Sequence, residues 1–156
     1  MKLSVLAVGH RQPDWVNAGC AEYLKRMPRE LPATVTEIKP ETRGSKTREQ
    51  LLAAEKGRIR DALPGSNRIV VLDEKGDDLT TLKLARRLET WMQDGRDVAL
   101  LIGGADGLDE EFKQQADDKL RLSSLTLPHG MARLVLCEQL YRAVSVLKNH
   151  PYHREG

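Results

Sequence analysis

Aromatic side chains are scarce in this chain, at 4% of 156 residues with a single phenylalanine, so the core has to be built from aliphatic side chains. Cysteine is scarcer still. Cys20 and Cys137 stand far apart in the sequence and show no metal-ligand spacing, which excludes a zinc module or a disulfide framework and fits reduced thiols. An excess of one charge is also missing: 25 Lys and Arg face 23 Asp and Glu, a net charge of +2. No whole-protein basic field therefore announces a nucleic-acid partner, and any such binding must come from a local patch. The opening apolar run LSVLAV is too short for a membrane span or a signal peptide. These absences predict a soluble, cytoplasmic protein with no membrane association and no metal.

What remains is the composition of one globular domain, with 40% apolar and 31% charged residues. Periods of two and of 3.6 alternate along the chain. Leu3 to Val8 reads as a buried strand, and Pro13 opens a helix to about Met27 that Pro28 and Pro32 close. Thr34 to Lys39 reads as a second strand. Thr47 with Gln50 forms a capping pair for a helix to about Leu63, stopped by Pro64-Gly65. RIVVL, residues 68 to 72, is a third strand; Thr80 or Thr81 caps a helix to about Gln93; DVALLI, residues 97 to 102, is a fourth strand. A weaker helix over Asp109 to Asp117, a short strand near Lys119 to Leu122 and a long helix from about Met131 to Lys148 complete the series. Strands apolar on both faces need cover on both sides, so the fold class is α/β: an open, mostly parallel sheet with helices on each face.

In such sheets ligands bind beyond the carboxyl ends of the strands, which directs attention to Gly9-His10, Asp73-Glu74, Gly103 to Gly107 and Ser123 to Gly130. The turn IGGADGL holds Gly103, Gly104 and Gly107 and fits either a cradle for a nucleotide-like ligand or a plain tight turn. Its spacing and its place after the fourth strand disfavour an ordinary dinucleotide fold. SSLTLPHG, residues 123 to 130, is too apolar for a solvated loop and too broken for one regular element. It can line a pocket with backbone groups and with Leu125 and Leu127, or be a strand followed by a helix cap.

The helix after it is apolar around most of its circumference, from Leu134 to Leu147, which points to a homodimer once the sheet has taken one face. Its polar stripe, Glu138, Arg142, Ser145 and Asn149, is either a solvated pair or a device that orients a site. Residues 39 to 60 carry seven basic against three acidic residues, a patch suited to phosphate contacts or a solvated helix face, with Lys46, Arg48 and Arg58 as its test positions. His10, His129, His150 and His153 lack metal-site spacing, and no hydrolase constellation stands out.

LIGGADGL, LTLPHGMARLVLCEQLYRA and the terminal NHPYHREG, in this order and at these separations, resemble the RlmH family of ribosomal RNA large subunit methyltransferases, which belongs to the SPOUT superfamily. The similarity runs from KLSVLAVG and AEYLKRMP near the start to the last residues. The resemblance implies a single domain over residues 1–156 whose C-terminal part is tied in a trefoil knot. It also implies a homodimer that uses S-adenosyl-L-methionine to methylate N3 of a pseudouridine in helix 69 of 23S rRNA, on the assembled ribosome. Carried onto this sequence, the cofactor residues are Leu72, Gly103, Gly104, Ser123, Ser124, Leu125, Thr126, Leu127 and Pro128, with His129, Arg133, Glu138 and Arg142 around the pocket and the dimer seam. Tyr152, His153 and Arg154 are implied to close over the site, that of the other subunit. The chain departs from the family pattern at Gly130, where a bulkier residue is expected.

By residue type, His153 is the candidate for removing the N3 proton, Arg142 or Arg154 for holding a phosphate or the developing anion, and Tyr152 for stacking on a flipped base. A non-enzymatic ribosome-associated factor with the same fold and a flavodoxin-like nucleotide-binding domain are the alternatives.

Overall fold

Strands and helices alternate in the order that the periodicities predict. A computed structural model describes residues 1–63, 65 and 67–154; the helix stop read at Pro64, and Glu155 and Gly156 of the terminal motif, lie outside the described residues. The elements are β1 (Leu3–Val8), α1 (Asp14–Leu24), β2 (Ala33–Ile38), α2 (Arg48–Ala62), β3 (Arg68–Asp78), α3 (Thr81–Asp94), β4 (Val98–Ile102), α4 (Glu110–Gln115), β5 (Asp118–Arg121) and α5 (His129–Leu147). Thr47 and Gln50 form the expected capping box, each side chain bonding the other residue's backbone N–H. Thr80 caps α3 in the same position.

All five strands are parallel, in the order β2-β1-β4-β3-β5. Alternation along the central strand decides which helices lie where. Val98, Leu100 and Ile102 pack with Leu84, Leu88 and Trp91 of α3 and Leu136 and Leu140 of α5, whereas Ala99 and Leu101 pack with Ile59 of α2 and Phe112 of α4. The core is aliphatic, as the scarcity of aromatics requires.

Two elements depart from the sequence reading. β3 runs six residues beyond Leu72, because Asp77 and Asp78 pair with β5 after a register shift that leaves residues 73 to 76 bulged out. This extension is charged and depends on backbone pairing, so hydrophobicity could not reveal it. α5 lies between α1 and α3, which explains most of its all-round apolar character without a partner subunit. Met131, Leu134, Val135 and Tyr141 nevertheless stay only half-buried.

The edge strand β5 is held by Asp118. Its carboxylate accepts from Arg68 at 3.0 Å, from Arg87 at 2.8 Å and from the indole of the buried Trp91 at 3.1 Å. Removing it leaves two guanidinium groups and an indole N–H without their acceptor. Asp118→Ala is therefore expected to destabilise the protein by about 3 kcal/mol, measured as a fall in the urea midpoint; a shift below a third of that size contradicts the assignment.

Cys20 and Cys137, remote in sequence, meet between α1 and α5 as buried free thiols. The hydrogen bond between them and burial both push the Cys137 thiol up, which leaves it an inert packing group.

Candidate functional site

The carboxyl ends of β3, β4 and β5 open into a cavity of about 560 Å³, where ligands bind in open α/β sheets. Of the cofactor residues implied from sequence, Leu72, Gly103, Gly104, Ser123, Ser124, Leu125, Thr126 and Leu127 line it. Pro128 stands just outside, as the residue that precedes the first turn of α5. The stretch 123–127 is thus a wall and not a strand, turned by a bond from the Leu125 N–H to the Ser123 hydroxyl at 2.9 Å.

The opposite wall is the glycine turn. The Gly107 N–H donates to the Gly104 carbonyl at 3.0 Å, and Gly107 sits at φ +80°, in the left-handed region. A Cβ at Gly103 would stand 2.6 Å from the carbonyl carbon of Gly107, so the two limbs of the turn touch backbone to backbone. No side chain could fit between these two limbs.

Charged residues of both signs complete the cavity, Glu74 and Arg121 among them. Asp73 and Asp106 face it from the bulge of β3 and from the glycine turn, with Lys113 of α4 and Arg48 of α2 beside them. Asp73 was legible as a strand-end residue and Asp106 as a member of the turn. Arg48 was missed as a site residue: it donates to the Asp106 carbonyl at 2.7 Å from 58 positions away, and nothing local marks it. Arg43 pairs with the Asp106 carboxylate at 2.6 Å, and Arg58 donates to the Lys39 carbonyl at 2.9 Å and pairs with Glu41. Much of the basic stretch 39–60 is therefore engaged inside the fold, and among its three test positions only Lys46 forms none of these contacts.

The candidate catalytic residues form a second cluster on α5. Arg142 donates to Glu138 at 2.6 Å and lies over the Tyr152 ring, 4.6 Å from its centroid. The polar stripe of the helix thus orients the tail and is more than a solvated pair. Tyr152 meets the edge of Tyr141, with 4.8 Å between centroids. Burial, a bond to Tyr23 and the Glu138 charge push its phenol up to about 12, so it stays a hydrogen-bond donor.

Arg142 also reaches Nδ1 of His153 at 3.3 Å. A guanidinium only donates, so Nδ1 accepts and the neutral ring carries its proton on Nε2. That Nε2 is buried and has no partner among the described residues. Arg154 is exposed and donates to the Pro151 carbonyl at 3.4 Å.

Arg142, Tyr152, His153 and Arg154 do not line the cavity. Arg142 follows Ala132, the α5 residue that does line it, by ten positions, about 15 Å of helix. Within one chain the two halves of the site are apart.

A profile of the family described as "Predicted SPOUT methyltransferase" matches residues 1–153. "Ribosomal RNA large subunit methyltransferase H" of Dechloromonas aromatica (strain RCB) is 90% identical over 156 residues, the whole of both chains. The protein of that name from Burkholderia ambifaria (strain MC40-6) is 59% identical over 155 residues, 99% of each chain. Among solved structures, a probable methylase family protein from Haemophilus influenzae Rd KW20 aligns over 99% of this chain and 70% of its own, with a TM-score of 0.59 at 13% identity. A putative methylase family protein from Neisseria gonorrhoeae aligns over 99% and 86%, with a TM-score of 0.54 at 16% identity; both show likeness of fold alone.

Proposed function

Because this chain belongs to the SPOUT methyltransferase family, we propose that it transfers a methyl group from S-adenosyl-L-methionine to 23S rRNA, at N3 of a pseudouridine in helix 69 of the assembled ribosome. The observation that carries this reading is the convergence of Leu72, Gly103, Gly104 and residues 123 to 127 on one cavity. Its chemistry fits the cofactor: Leu72, Ile102 and Leu127 offer apolar walls, the glycines of the turn expose backbone groups, and Asp73 and Asp106 offer acceptors for hydroxyls and for positive charge. When bound, the cofactor would supply an electrophilic methyl carbon on a sulfonium, which N3 would take in line as the carbon–sulfur bond breaks and the neutral thioether S-adenosyl-L-homocysteine leaves.

The residues of the chain then have to align the base and manage its proton. Alignment of this kind supplies roughly 7–11 kcal/mol of barrier reduction. An N3 that attacks must lose its proton, and the charge that spreads to the ring carbonyls calls for donors. Arg142 and Arg154 are suited to that role. The Nε2–H of His153 is buried and without a partner among the described residues, and His153 can take up the N3 proton at Nδ1 only after leaving Arg142. Tyr152 is the aromatic side chain of the tail suited to stack on a flipped base.

Since the tail and the cavity are separate within one chain, the complete site is formed in a homodimer, with the tail of one subunit over the cavity of its partner. The half-buried Leu134, Val135 and Tyr141 of α5 support an interface there. A C-terminal trefoil knot, a single domain over the whole chain and a place in the cytoplasm, where ribosomes are, belong to the same reading.

Methylation of whole ribosomes, free large subunits and naked rRNA with labelled cofactor tests it. Whole ribosomes are expected to be labelled at N3 of the helix 69 pseudouridine; labelling of naked rRNA alone overturns docking on the ribosome. The basic stretch gives a narrower expectation. Lys46→Glu should raise the ribosome KM severalfold, reduce its salt dependence and leave cofactor affinity unchanged. Arg48→Glu should weaken cofactor affinity as well, because it lines the cavity. Equal effects of the two variants on cofactor affinity contradict this division.

A further inference from the structure

We infer that Arg48 is a positioning residue for the cavity: it pins the peptide between Asp106 and Gly107, and so fixes which backbone groups the glycine turn presents. The inference rests on the reading of this cavity as the cofactor site and deepens it. The transfer step described above makes no use of Arg48.

That peptide is held at both ends. Its N–H, from Gly107, donates to the Gly104 carbonyl at 3.0 Å, and its carbonyl, from Asp106, accepts from Nη2 of Arg48 at 2.7 Å. Among the described residues no main-chain N–H reaches the Asp106 carbonyl, so the guanidinium supplies its donor. A bond from a cation to a carbonyl is stronger than one between neutral groups. It also polarises the peptide and strengthens the bond made by the N–H at the far end.

The turn needs such a hold. The peptide can turn over by a change in ψ of Asp106 and φ of Gly107, and Gly107, at φ +80°, resists little because glycine takes either sign of φ. Turned over, the peptide would exchange its N–H and C=O on a wall of the cavity and lose the bond to Gly104. Arg48, Asp106 and Gly107 all line that cavity, so the hold acts at the site itself.

α2 brings Arg48 there. Arg48 is the first residue of the helix, directly after the capping box in which the Thr47 hydroxyl accepts from the Gln50 N–H at 3.1 Å and the Gln50 side chain accepts from the Thr47 N–H at 3.0 Å. The box fixes the backbone from which the guanidinium reaches the turn. Arg43 holds the same residue differently, through the Asp106 carboxylate at 2.6 Å. A side chain can rotate while its peptide stays, and an exposed ion pair contributes little and is screened by salt. The pin is therefore Arg48 and not Arg43.

Amide hydrogen exchange read by NMR on the full-length protein tests the pin, and calorimetric titration with S-adenosyl-L-methionine tests its effect on the cavity. In Arg48→Ala the Gly107 amide is expected to exchange about tenfold faster while the amides of β4 keep their rates. Cofactor affinity is expected to fall about tenfold, with little change in melting temperature because Arg48 is exposed. Arg43→Ala is expected to change both readings by less than about twofold.

A double-mutant cycle separates a hold on the turn from a direct grip on the cofactor. Gly107→Ala strains the same peptide, since alanine resists φ +80°, and its Cβ would lie 3.9 Å from Nη2 of Arg48, an ordinary contact. The double variant is expected to lose little more affinity than the weaker of the two single variants. Losses that multiply mean that Arg48 grips the cofactor itself and overturn the inference, as does Arg48→Ala with wild-type affinity or wild-type exchange at Gly107. Wild-type protein that binds no cofactor overturns the cofactor reading instead, while the exchange rate at Gly107 still decides whether Arg48 pins the peptide.

Discussion

A Gly103→Ala variant is expected to lose cofactor affinity by up to roughly 10²-fold while its sheet still forms. The added Cβ would stand 2.6 Å from the Gly107 carbonyl carbon and 2.7 Å from its oxygen, distances at which backbone has to move. Overpacking of this kind costs about 1–3 kcal/mol. Here the cost falls on the turn that faces the cavity, and β4 pairs normally up to Ile102. Gly104→Ala is the internal control, because its Cβ would first meet a Val8 methyl at 3.2 Å, a side chain that can yield. A severalfold loss is expected there. Calorimetry and thermal melting of both variants decide the matter; equal losses, or a collapse of melting temperature in Gly103→Ala, contradict the argument.

Deleting residues 151–156 is expected to reduce methyl transfer by at least about 10³-fold, since positioned donors and proton carriers each contribute on the order of 10² or more. Cofactor affinity is expected to change far less than turnover, because the cavity walls of each chain are built without its own tail. The loss of Tyr152 from Tyr141 costs about 1 kcal/mol of aromatic packing, which the fold tolerates. Mixed subunits then show whose cavity the tail serves. A tail-less chain paired with a Gly103→Ala chain holds one intact cavity and one intact tail, on different subunits. Recovered activity means that the tail acts on the partner; no recovery, with mixed dimers present, means that it acts on its own chain and contradicts the proposed assembly.

Element order and type were legible because β1, β4 and the start of β3 are short apolar runs and most helices open on a visible cap, as at Thr47 and Thr80. Strand order was not, since nothing local says that β4 lies between β1 and β3. The extension of β3 was hidden for the same reason: Asp77 and Asp78 gain their place from the β5 backbone. The cavity was legible in outline because both of its walls are strand ends of unusual composition. Arg48 was not, nor was the pairing of the buried Arg133 with Glu37, which lies 96 positions away. The separation of the terminal cluster from the cavity is a matter of helix length, which a motif does not convey.

The strand order has a consequence for how the chain is made. β1 and β3 bond to β4 and not to each other, so during synthesis both wait with an open edge until residues 98 to 102 leave the ribosome. The helix layer over one face waits longer, for α5, which ends at Leu147. Sheet contacts so remote in sequence form slowly, and a nascent chain cut short before Val98 has no centre to fold around. A ribosomal RNA methyltransferase thus becomes a folded protein only once its last helix has left the ribosome that makes it.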